Sequence, residues 1–288
     1  MAPTKLAANV SGDFFVNTNC INCDTCRQLA PDHFSEVGKF SAVTAQPQTA
    51  DQKRGAFHAL LSCPTGAIQT AHTDELQLAS ADFPLLLTEG IYYCGFTSRK
   101  SYGGSSYLIL HPDGNWLIDS PRFHLPLVRK IEALGGIRYL FLTHRDDVAD
   151  ADKYASHFRA ERIIHELERD SQPDAEHLLT GTEPIFWHPD FKLIPQPGHT
   201  IGHTVLLYKQ TFLFSGDHLA WDGSPNELTS HRDYCWYSFE EQTRSMERLA
   251  EERFSWLLPG HGKRIMMPEA EMHAALNRLV KRMQNWTN

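Results

Sequence analysis

Apolar and polar positions change rhythm along the chain. Up to about residue 75 the apolar runs are short. They predict a strand over 14–17, a cysteine-bearing loop, a turn, a helix over 51–61 and a strand over 67–70. Within that helix Ala56, Phe57, Leu60 and Leu61 recur at helical spacing. A polar stretch over 72–82 reads as a linker, and beyond it strands alternate with helices. Residues 107–110 and 116–119 predict a hairpin about the turn PDGN, and a helix over 125–134 stops at Gly135 and Gly136. Apolar strands follow over 139–142, 192–195, 205–208 and 212–214. Ser238 opens a helix with a Ser-x-x-Glu capping box ending at Glu241. A short strand over 256–258 and a helix over 269–283 close the chain. Two domains are expected, a small α+β one over 1–75 and a larger α/β one over 84–288.

Composition adds exclusions. A chain of 288 residues, 41% hydrophobic and 22% charged, is ordinary for a globular protein. Its net charge of -8, with Lys and Arg scattered, offers no field for phosphates, so nucleic acid is not an expected partner. No apolar run approaches the roughly 20 residues that span a bilayer, so no membrane partner is expected. The opening MAPTKLAANVSGDFF lacks the apolar core of a secretory signal, and the expected location is cytoplasmic.

Three of the six cysteines fall within seven residues, which suits metal ligation better than a disulfide framework. Cys20-x-x-Cys23-x-x-Cys26 has the spacing that wraps three corners of a cubane, and Cys63, followed by Pro64, can supply the fourth. Two-cluster ferredoxins carry a further Cys-Pro three residues on; Ala30-Pro31 stands there, so one [4Fe-4S] cluster is expected. A four-cysteine zinc site would usually present two Cys-x-x-Cys pairs. A three-iron form stays open. The segments CRQLAPDHF and CPTGAI resemble single-cluster ferredoxins, over nearly all of residues 12–72. Cys94 and Cys235 lie outside the motif and read as small buried apolar residues.

In the larger domain four apolar strands are each followed at once by a metal-ligand type: His144 with Asp146, His199, Asp217 and His261. Strand ends that neighbour one another converge on one rim of a sheet, where a metal pocket can form. In these residues the chain resembles the metallo-β-lactamase-fold superfamily over roughly 85–265, which implies an αββα sandwich. GGSSYLI and LIDSP look like its opening hairpin, PGHTIGHT like its third motif, SGD like its bridging aspartate and PGHG like its final histidine.

The family signature Thr-His-x-His-x-Asp-His reads here Thr143-His144-Arg145-Asp146-Asp147-Val148-Ala149. Carried over by position, one metal keeps His144 and His199 with Asp146 as its middle ligand. The second keeps Asp217 and His261 but loses its Asp and His to Val148 and Ala149. The usual two-zinc site is not expected. One divalent ion, or a weak second one, is expected, with zinc, iron or manganese all admissible because carboxylate replaces imidazole. Asp147 and Asp150 are close enough in sequence to help, and a decayed site without metal is the bland alternative. His203 reads as supporting rather than ligating. Tyr107, Asp119 and the aromatic run at 234–237 line the pocket or merely pack.

Three readings of function follow. Metal-dependent hydrolysis of a small ester, thioester or lactone is the fold's commonest chemistry, with Asp146, Asp147 or Asp217 moving protons. Redox chemistry would pass electrons from the cluster, fed by a redox partner protein, to a non-haem iron. The flavodiiron proteins use the fold in this way, but no flavin domain is present here. A non-catalytic redox sensor is the third. Hydrolysis stands narrowly first, because fold precedent outweighs the loss of the family aspartate at Val148.

Overall fold

The computed structural model describes residues 2–222 and 226–286. The chain forms two compact units, one of residues 1–138 with 149–160 and the other of residues 139–148 with 161–288. These units follow packing, whereas the expected boundary at 75–84 follows motif spacing.

In the first unit the strands Phe15–Val16 and Ile68–Gln69 pair antiparallel, Val16 opposite Ile68. Between them lie the helices Thr25–Leu29 and Ala50–Ser62 and the hairpin Phe34–Val37/Phe40–Val43. The sequence pattern predicts only a turn here, since four-residue strands are too short to show a period. Thr49 caps the longer helix: Gln52 N donates to Thr49 Oγ1 at 3.3 Å and Thr49 N to Gln52 Oε1 at 3.1 Å. Phe14, Val16, Phe34, Val43, Phe57 and Ile68 fill a core that also takes in Cys26 and Cys63.

The stretch expected to be a linker contains a helix, Leu76–Ser80. Ala79 is buried in the same core, Leu76 packs on it, and Asp82 accepts hydrogen bonds from Arg54 and pairs with His58. A few apolar positions thus tie down a segment whose average polarity suggested otherwise. The unit continues as an antiparallel succession of Leu85–Thr88, Ile91–Tyr93, Tyr107–Ile109 and Trp116–Ile118, with the helices Leu125–Ala133 and Ala151–Phe158.

The second unit holds a six-stranded sheet. Ile185–His188, Phe191–Pro195, Thr204–Tyr208 and Phe212–Gly216 run antiparallel in turn; Trp256–Pro259 then pairs parallel to Phe212–Gly216, and Ile265–Met266 closes the edge. Val205, Leu207, Leu213 and Leu257 pack against Met246, Leu249, Leu276 and Leu279 of the helices Phe239–Leu249 and Glu269–Gln284. Thr204–Tyr208 is buried throughout, as a strand covered on both faces must be. Ser238 Oγ accepts from Glu241 N, but the Glu241 carboxylate pairs with Arg244, so only half of the expected capping box forms. Three strands, Tyr139–Phe141, Glu161–His165 and His177–Leu179, lie parallel in the same unit. No described helix is long and apolar enough to cross a membrane.

Candidate metal centre

The pairing pattern gives Phe191–Pro195, Phe212–Gly216 and Trp256–Pro259 one common direction, so their carboxyl ends share a rim of the sheet. His199, Asp217 and His261 follow those three ends. His144 follows Tyr139–Phe141, and its neighbour Thr143 is tied to the sheet by Thr204 N donating to Thr143 O at 2.8 Å. The register slips between Phe214 and Gly216 against Trp256–Pro259. Such a bulge re-aims the chain, and here it delivers Asp217. Gly216 adopts φ +49, and a Cβ on it would lie 2.6 Å from Thr143 Oγ1 and 2.7 Å from His203 Nε2. Only glycine fits that turn.

One ligand atom each from His144, His199 and Asp217 lies within a 4.8 Å group, and a second group comprises Asp147, Asp217 and His261. His144 Nε2 is 3.7 Å from Asp217 Oδ2 and 3.8 Å from Asp146 Oδ2; His199 Nε2 is 3.6 Å from Asp217 Oδ2 and 3.5 Å from Asp146 Oδ2. Donors about 2.1 Å from one tetrahedral ion stand about 3.4 Å apart, so these spacings fit a shared cation.

Hydrogen bonding points the same way. His144 Nδ1 meets Thr143 Oγ1 at 3.0 Å, and His199 bonds the Tyr234 backbone through its other ring nitrogen. Both Nε2 atoms, and Asp217 Oδ1, are buried without a hydrogen-bond partner. Rings anchored on one nitrogen with the other buried and unsatisfied are arranged as metal ligands are.

The electrostatics suit a cation. Burial pushes the His144 imidazole down to about 4, although Asp217 pulls the other way. Burial would also lower His199, but Asp146 and Asp217 together lift it above its ordinary value. Burial would raise the Asp217 carboxyl, yet His261, His144 and His199 hold it below the usual range.

Other expected residues take distinct places. Asp146 stands at the mouth with its side chain 45% exposed, and the nearby His199 imidazole, 3.5 Å away, holds its carboxyl below the usual range. Asp147 is buried, its side chain 2% exposed, with Oδ1 4.0 Å from His261 Nε2. Asp150 belongs to the other unit, where it accepts from Phe123 N and pairs with Lys100 and Lys153; it is a structural anchor there. Tyr107 and Asp119 are buried in that unit as well. His203 lies behind Asp217, whose backbone N donates to its Nε2 at 3.2 Å. Trp236 N donates to His199 O at 2.8 Å while the indole stands 65% exposed, so the aromatic run borders the His199 loop.

Sequence reasoning missed Glu168. Its buried carboxylate pairs with Arg145 and accepts from Gly202 N at 2.6 Å, joining the turn after His144 to the turn before His203. Nothing local in the sequence marks that partnership. Gln196, Gln242 and His218 were also missed; they place a buried polar layer behind the centre, with Gln242 Nε2 donating to Ser230 Oγ at 2.7 Å.

In the first unit, Cys20, Cys23, Cys26 and Cys63 line one pocket with Val16, Ile21 and Ile68. Asn22 N and Ser41 N donate to Cys20 Sγ at 3.4 Å each, and Ala67 N to Cys63 Sγ at 3.3 Å. Amide donors aimed at sulfur are the usual setting of a cluster ligand. Burial raises the Cys23 thiol and pushes Cys26 up to about 12, so a thiolate there needs a cationic partner such as iron. The residues fit the cluster.

Residues 16–70 match the family described as the 4Fe-4S single cluster domain of ferredoxin I. No curated protein matches the chain. Among solved structures, the metallo-β-lactamase FIM-1 from Pseudomonas aeruginosa in its mono-zinc form aligns with TM-score 0.53 at 17% identity, over 68% of this chain and 93% of that one. A metallo-β-lactamase from Hirschia baltica aligns with TM-score 0.52 at 15% identity, over 68% and 96%. DIM-1 metallo-β-lactamase exposed to ceftazidime aligns with TM-score 0.53 at 18% identity, over 68% and 95%. The fold is that of the metallo-β-lactamases. The chain thus joins a 4Fe-4S ferredoxin-type segment to a metallo-β-lactamase fold. At these identities the likeness is one of fold alone.

Proposed function

We propose that the protein is an iron–sulfur metalloenzyme that hydrolyses a small ester or thioester at a divalent ion held by His144, His199 and Asp217. The observation that carries this is the pair of buried Nε2 atoms, each on a ring anchored at its other nitrogen, facing one carboxylate. A bound divalent ion would supply Lewis acidity toward the substrate carbonyl and its attacking water. Asp146, ionised and half-exposed at the mouth, is the carboxylate that would accept a proton from water entering the site. Thr143 and the Tyr234 carbonyl hold the two imidazoles in one orientation. Trp236 offers an apolar wall against which the acyl or leaving group can lie and exclude water. Cys20, Cys23, Cys26 and Cys63 hold one [4Fe-4S] cluster.

A second reading is redox chemistry at a non-haem iron. It is favoured by the donor set itself, since two imidazoles and one carboxylate with open positions is a common iron(II) triad. Anaerobic purification with assay of iron, zinc, manganese and acid-labile sulfide, alongside a His144→Ala, His199→Ala double variant, separates the two. Hydrolysis expects zinc or manganese that the double variant loses, and turnover on an ester and thioester panel. Iron lost from the double variant, with no turnover on the panel, would replace hydrolysis by the redox reading.

A further inference from the structure

The signature positions that would complete a second metal site hold Val148 and Ala149, neither of which can ligate. The structure nevertheless gathers a second donor set, Asp147, Asp217 and His261, with one ligand atom from each inside a 4.8 Å group. We infer that Asp147, from a register one residue earlier than the family aspartate, builds a second cation site with Asp217 and His261, suited to a hard divalent ion such as manganese(II). This rests on the reading of the first centre, because Asp217 serves both.

The local backbone explains the substitution. Residues Arg145–Asp147 form a tight helical turn after His144. Successive side chains on such a turn point in different directions, and here Asp146 faces the mouth while Asp147 turns inward. Asp147 Oδ1 is 4.0 Å and Asp217 Oδ2 3.7 Å from His261 Nε2. The opposite oxygens, Asp147 Oδ2 and Asp217 Oδ1, both crowd Gly260: a Cβ on that residue would sit 2.9 Å and 2.6 Å from them. Gly260 N is itself held by Gly216 O at 2.8 Å, so the strand cannot retreat, and the absence of a side chain leaves the two carboxylates facing each other across it. One ligand atom of each lies within 4.8 Å of the other and of His261, and a shared cation relieves the repulsion between carboxylates that close. Asp217 Oδ1, buried and without a hydrogen-bond partner, lies on this side.

The two sites differ in chemistry. Two imidazoles serve the first, whereas the second has two carboxylates and one imidazole, a harder set that leaves room for water ligands. Manganese(II) should therefore fill the second site readily.

The test is a manganese(II) titration of the cluster-loaded full chain, freed of other divalent ions, with unbound manganese read by electron paramagnetic resonance and the cluster checked by acid-labile sulfide. Wild type should bind two equivalents. Asp147→Asn should keep one and weaken the other more than about a hundredfold. His261→Gln, at a partly exposed residue, should lose the same equivalent. One equivalent in wild type, unchanged in both variants, would overturn the second site and leave the first standing. No binding in wild type would remove both. Loss of both ions from Asp147→Asn at an unchanged melting temperature would also overturn the assignment, since Asp147 would then support the whole centre rather than ligate one ion.

Discussion

Adjacent residues of like chemistry can carry different work, and Asp146 and Asp147 show how. Asp146 is ionised and half-exposed beside His199; Asp147 is buried beside His261. Asp146→Asn keeps shape and polarity but removes the proton acceptor. It should lower kcat about a hundredfold or more while the His144/His199 ion stays bound, which paired ester kinetics and metal analysis will read. Equal loss of metal and rate would instead mean that Asp146 mainly ligates. The ligand types themselves were legible because each follows an apolar strand at once. The inward turn of Asp147 was not, since neither the period of a strand nor that of a helix governs the short turn at Arg145–Asp147. Glu168 was hidden for another reason: its partners Arg145 and Gly202 are remote in sequence, and a lone acid on a polar stretch gives no sign of burial.

Among the elements, strands over 107–119 and 191–216 were legible because their alternation or apolar runs are strong and Gly or Pro punctuates them. The helix Ala50–Ser62 was placed within a residue of its observed ends, but its cap was overlooked, although Thr49-x-x-Gln52 stands in the sequence. That cap has mechanical consequence, since the helix runs directly into Cys63, where Pro64 forbids continuation. Thr49→Ala removes the bond to Gln52 N and leaves an orphan donor at the helix start. It should cost about 1 kcal/mol, measured as a shift in the urea midpoint with an unchanged slope. No shift would mean that solvent satisfies the exposed donor equally well. The helix Leu76–Ser80 was missed because tertiary burial of Ala79, not local pattern, decides it.

For the whole molecule, two metal-binding chemistries share one chain, and the packing says which parts depend on which metal. Cys26 and Cys63 are not surface clips: they sit in the core with Phe14, Val16, Phe34 and Phe57, and Cys63 Sγ accepts from Ala67 N beside the strand that pairs with Phe15–Val16. A thiolate cluster there would be a folding constraint. The centre of His144, His199 and Asp217 is built wholly from residues of the other unit. Cys63→Ser should therefore abolish acid-labile sulfide and raise protease cleavage within residues 16–70 by about tenfold or more, as expected when a local opening costs at least about 1.4 kcal/mol less. Manganese binding to the His144/His199 centre should stay within about twofold of wild type. If that binding falls together with the cluster, the cluster supports the second unit too. If cleavage does not rise, the cysteine segment folds on its hydrophobic core alone, and electron transfer becomes the better reason for the cluster to be there.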